Sequence, residues 1–161
     1  MSLLSQFIVA ARLLDGGRMV DKREVVQQLL QGLADEGHIA EADAHGICEA
    51  ILRREALGTT GIGNGIALPH ARHAVLQHSI AILGVCRSPV EFDSLDGEPV
   101  DIVVLILGSN DPAEKQRRVA MRRSERMMRL LVNQELRGRL RQSTSANEVL
   151  DQFLRADIEG Q

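Results

Sequence analysis

Tryptophan and tyrosine are absent from this chain, and phenylalanine occurs only at Phe7, Phe92 and Phe153. A base-stacking surface needs exposed aromatics set between basic residues, and there is almost nothing here to build one. The net charge is −3, which also argues against nucleic acid as the main partner. Two cysteines make no disulfide framework. Cys48 falls on an apolar helical face and Cys86 in an apolar strand, so both read as buried, reduced core residues. No apolar run nears the roughly 20 residues of a membrane span, so no membrane insertion is expected. The opening Met-Ser-Leu-Leu-Ser-Gln lacks the basic start and long apolar stretch of a signal peptide. The expected location is the cytoplasm.

What remains is enough for a core. Hydrophobic residues make up 44% of 161, a composition that favours one folded domain over residues 1–161. Met19-Val20 reads as the start of a short strand. Asp21 with Glu24 three positions on is close to a capping box, and apolar residues from Val25 to Ala34 follow at helical spacing until Gly37. A second helix is expected over about Glu41 to Arg54. Ile66–Leu68 reads as a short buried strand. Ser79–Cys86 and Val100–Leu107 are apolar on both alternating faces, as in strands covered on both sides. Asn110-Asp111-Pro112 reads as the start of a long helix, with Ala120, Met121, Ser124, Met127, Met128 and Leu131 on its inner face. Helices over Gln134–Gln142 and from Ser145 to about Asp157 complete the chain. Helices on both faces of a buried sheet predict a three-layer α/β domain.

The stretch most suggestive of chemistry is Gly58-Thr-Thr-Gly-Ile-Gly-Asn-Gly-Ile-Ala-Leu-Pro-His70. Glycines let a backbone turn tightly and offer its N–H groups to an anion. Pro69 fixes its own φ and biases Leu68 toward extended geometry, so His70 leaves the strand at a defined angle. The spacing is not the dinucleotide pattern G-x-G-x-x-G, and the P-loop ending Gly-Lys-Ser/Thr is missing. A tight connection beside an ordinary core histidine is the bland alternative. His70-x-x-His73, with His78 beyond, raises the question of zinc. Chelation at that spacing needs a helical or tightly turned segment and a third ligand, so no metal or other cofactor is expected. His38 and His45 read as surface residues, Asp93 and Asp96 as turn residues.

Gly61-Ile-Gly-Asn-Gly-Ile-Ala-Leu-Pro-His-Ala71 resembles the active-site signature of the EIIA component of the bacterial phosphotransferase system. The resemblance is to the type-2, fructose/mannitol class, most of all its nitrogen-regulatory branch. Arg54-Glu-Ala-Leu-Gly58 and Pro89-Val-Glu-Phe-Asp-Ser-Leu-Asp-Gly-Glu-Pro-Val100 extend it, so that it covers about residues 19–155. It implies a mixed parallel/antiparallel sheet flanked by helices. It also implies that His70 accepts a phosphoryl group from the carrier HPr, then passes it to an EIIB cysteine or keeps it as a regulatory mark. Arg54 matches a family arginine that stabilises charge. Thr59, Thr60, Gly61, Gly63, Asn64 and Gly65 would form the phosphate-binding loop. Such a protein is a phosphohistidine intermediate more than a turnover enzyme. An imidazole suits the task, being largely a neutral nucleophile at neutral pH.

One departure matters. The class carries a second histidine near the start of the long helix, and the matching position here is Ala120; no histidine follows His78. Two readings therefore stand: a phosphohistidine carrier, or an EIIA-like regulatory binding module with weak or no phosphotransfer. Arg117 and Arg123 flank the Ala120 stripe. Arg118, Arg122, Arg126 and Arg129 read as a solvated face, and a basic face beside the site also suits an acidic or phosphorylated partner.

Overall fold

The computed structural model describes residues 4–14, 21–110 and 113–160. Its elements in chain order are β1 (Ile8–Leu14), α1 (Lys22–Asp35), a 3-10 turn (Glu41–Asp43), α2 (Ala44–Leu57), β2 (Gly61–Gly63), β3 (Ile66–Ala67) and β4 (His70–His73). There follow β5 (Ile80–Val90), β6 (Val100–Ser109), α3 (Glu114–Leu131), α4 (Gln134–Gln142) and α5 (Ala146–Glu159). One sheet holds the strands in the order β1-β5-β6-β3-β2, and β4 pairs with β6 beyond β3. β1 runs parallel to β5, β5 antiparallel to β6, and β3 and β4 parallel to β6. The sheet is therefore mixed, as expected.

The two apolar faces of β5 and β6 have their reason in the layers. Side chains of a strand alternate between faces. Ile80, Ile82, Val103 and Leu105 pack with α1 and α2 residues such as Val26, Leu30, Ile47 and Ile51. Ala81, Leu83, Ile102 and Val104 pack on the other face with Met127, Leu131, Leu136, Val149 and Phe153. Each Val, Leu, Ile, Met or Phe among them, fully buried, contributes roughly 1.5–3 kcal/mol. The resulting three layers are helices, sheet, helices.

The caps read from sequence are present. Asp21 accepts from the Glu24 amide at 2.9 Å. Gly37 takes φ +78° after α1, and the His38 amide closes back onto the Leu33 carbonyl at 2.8 Å. Ser145 caps α5 through the Glu148 amide. Cys48 and Cys86 are buried.

Several expectations need correcting. β1 was not anticipated; its signal is the apolar run Phe7-Ile-Val-Ala-Ala11, which packs both faces of the sheet edge. The strand start at Met19-Val20 lies outside the described residues, as do Asp111 and Pro112. α3 begins at Glu114, because Ala113 still has extended backbone (ψ 130°). Met121 is 65% exposed, whereas Leu130, not expected on the inner face, is buried. Arg126 is not on a solvated face. Its Nε donates to Asp157 Oδ1 at 2.7 Å, and that carboxylate is fully buried. The pair ties α3 to α5, and Asp157 Oδ2 also accepts from the Leu4 amide at 3.2 Å.

Candidate functional site

His70 opens β4, opposite Ile106 of β6. The peptide groups before it are pinned on both sides. The Leu68 amide donates to the Thr60 carbonyl at 3.0 Å, and the Ile106 amide donates to the Pro69 carbonyl at 2.9 Å. With that turn held, the Leu68 carbonyl oxygen lies 2.9 Å from His70 Nδ1. A carbonyl oxygen can only accept, so the hydrogen sits on Nδ1. In the neutral ring the lone pair is then on Nε2. The ring is half-buried and lines a cavity of about 460 Å³ between β4, β6 and α3.

The cavity wall is mostly apolar: Phe7, Leu68, Ile106 and Met121 contribute to it, with Ala120 on α3. Ala120 thus faces the same space as His70. Arg117 and Ser124 join it from α3, at the i, i+3, i+7 spacing of one helical face. Arg72 joins it from β4. Sequence reasoning missed Arg72, although a strand over 70–73 puts residues 70 and 72 on one face. Arg123 lies over the Phe7 ring, 5.1 Å from its centroid. Burial lowers the pKa of its guanidinium.

The other sequence candidates sit elsewhere. Neither Arg54 nor any residue from Thr59 to Gly65 lines this cavity. Arg54 belongs to α2, which packs on the opposite sheet face, and its Nη1 donates to the Gly58 carbonyl at 3.1 Å. In place of an open anion loop, residues 61–67 form a β-hairpin. Asn64 (φ +58°) and Gly65 (φ +77°) make its two-residue turn. Several donors of this segment bond inward: the Thr60 amide and hydroxyl donate to Glu55 at 2.9 and 2.6 Å, the Gly61 amide to Thr59 Oγ1 at 3.0 Å, the Asn64 amide to Asp96 at 3.1 Å. The Thr59 hydroxyl donates to the Phe92 carbonyl. Gly63 extends the hairpin opposite Ile66.

His73 projects to the face opposite His70, toward Gly46 of α2, and its Nδ1 accepts from the Val75 amide at 3.3 Å. A strand separates residues i and i+3 in this way, so the two rings do not converge. Asp93 (φ +53°) and Asp96 are turn residues.

Residues 16–156 match the family model of the phosphoenolpyruvate-dependent sugar phosphotransferase system, EIIA 2. The chain belongs to that family. The nitrogen regulatory protein of Pseudomonas aeruginosa is 34% identical to this EIIA 2 chain over 143 residues, 89% of each chain. The crystal structure of nitrogen regulatory protein IIA-Ntr from Neisseria meningitidis superimposes with a TM-score of 0.73 at 27% identity, covering 94% of this chain and 99% of that one. Enzyme IIA mannitol from Escherichia coli, solved in complex with phosphorylated enzyme IIB mannitol, shares the fold at a TM-score of 0.67 and 19% identity. That match covers 89% of this chain and 94% of that one. Among the described residues of this EIIA 2 protein, no helix is long and apolar enough to cross a membrane.

Proposed function

We propose that this EIIA 2 protein is a cytoplasmic phosphohistidine carrier with a regulatory role, and that His70 Nε2 accepts the phosphoryl group from HPr. The single observation that supports this most is the Nδ1 contact with the Leu68 carbonyl. It leaves Nε2 as the nucleophile, on a ring that lines an open cavity. In the transfer, the N–P bond of the donor phosphohistidine breaks as the Nε2–P bond forms, and the donor ring leaves with the electron pair. The Nδ1 proton stays on His70, held by the Leu68 carbonyl. The phosphorylated ring is then cationic, which makes it a good leaving group for onward transfer to an EIIB cysteine. Phosphoryl transfer asks little more than positioning and charge stabilisation.

The test is incubation with phosphorylated HPr. Acid-labile, base-stable phosphate should appear on the wild type and be missing from His70→Ala. A second reading, a regulatory module with little phosphotransfer, draws on Ala120 in the cavity wall. It is favoured if the wild type remains unlabelled.

A further inference from the structure

Resting on the reading of His70 as phosphoacceptor, we propose that Arg72 and Arg117 form the cationic clamp that neutralises the phosphoryl group. A phosphoryl group carries close to two negative charges near neutrality. Set against a wall of Phe7, Leu68 and Ile106, it needs counter-charge. The same apolar wall strengthens any ion pair made beside it.

Two arginines reach this cavity from different elements. Arg72 shares the His70 face of β4, two residues on. Its stem lies over Gly108, where an added Cβ would come within 3.2 Å of Arg72 Cγ. Arg117 stands one helical turn before Ala120 on α3. Neither guanidinium has a hydrogen-bond or ion-pair partner among the described residues. That sets them apart from Arg23, Arg126 and Arg141, each paired with a carboxylate. It also sets them apart from Arg54, turned onto its own helix end. A guanidinium fork matches phosphate oxygens in a way a point charge does not. The clamp takes over the charge work that a second imidazole at position 120 would share.

The experiment labels full-length protein from two donors, phosphorylated HPr and the small molecule phosphoramidate, and measures initial rate and phosphohistidine half-life. Arg72→Ala and Arg117→Ala should each slow labelling from both donors, on the order of tenfold, with the double variant slower still. Arg117→Lys should recover part of the loss. Thermal melting should match the wild type, since neither side chain is partnered. The clamp is overturned if both alanine variants label at the wild-type rate. It is equally overturned if only the HPr route slows, which makes the arginines docking residues, or if Arg54→Ala alone carries the loss. A wild type that takes label from neither donor removes the phosphoacceptor reading itself and the clamp with it.

Discussion

The ring of His70 is oriented by the residue two positions before it: the Leu68 carbonyl accepts from Nδ1–H at 2.9 Å. The acceptor is a backbone carbonyl, so a substitution of the Leu68 side chain leaves it in place. It predicts the Nδ1–H tautomer for the neutral ring and phosphorylation at Nε2. Long-range nitrogen–proton NMR correlations distinguish the two tautomers and the two phosphohistidine isomers. An Nε2–H ring, or phosphate on Nδ1, contradicts the prediction.

Ala120→His should raise the rate of transfer to His70. Ala120 already faces the His70 cavity, which has room for an imidazole. A positioned second ring that hydrogen-bonds the phosphoryl oxygens should contribute about a tenfold gain, less than the roughly hundredfold or more of a full general acid–base group. Labelling from phosphorylated HPr measures it; an unchanged rate means that a second imidazole is not limiting.

Glu55 should make stability acid-sensitive. Burial pushes its carboxyl up, but hydrogen bonds from Thr60 and Lys22 outweigh that and hold it below the usual range. The Lys22 ammonium donates at 3.1 Å and also lies 5.6 Å from the centre of the Phe92 ring. A depressed carboxyl stabilises the fold above the unfolded value of ~4.3 and loses that contribution as pH falls through the folded one. Urea melts of Glu55→Gln should therefore show a flatter pH dependence below about pH 5 than the wild type. Glu55→Ala should lose roughly 3 kcal/mol at neutral pH.

Arg126→Ala should cost roughly 3–5 kcal/mol, because Asp157 is then left charged in the interior. Adding Asp157→Asn should return part of it by removing the charge. Chemical denaturation of the single and double variants reads both; a double variant no better than Arg126→Ala counts against this account.

Both thiols should be inert in the native protein. Burial, with a smaller effect of Asp101, pushes Cys86 up to about 12, and burial raises Cys48 as well. The thiolate is the reactive form. A disulfide thiol reagent at pH 8 should find no reactive cysteine until denaturant is added; prompt native reaction at either residue goes against it.

Much of the layer plan was legible locally. Apolar residues on both alternating faces of β5 and β6 announced cover on both sides, and Asp21 and Gly37 marked the ends of α1, because caps and periodicity act within a few residues. The turn Asn64-Gly65 was also local, yet its use was not. Whether those amides face a ligand or bond inward depends on Glu55, Asp96 and Phe92, which only packing brings to them. Arg126 looked solvated because its partner lies 31 residues away.

From sequence alone followed the family resemblance, the sheet between helices and a histidine delivered at a strand end behind proline. These rest on short-range backbone geometry and residue type. The tertiary structure alone decided which side chains share the space around His70. Strand pairing with β6 and the seating of α3 put Arg72, Arg117 and Ala120 there and left Arg54 on the far face. Register and packing between distant segments set that arrangement, and no window of neighbouring residues contains it.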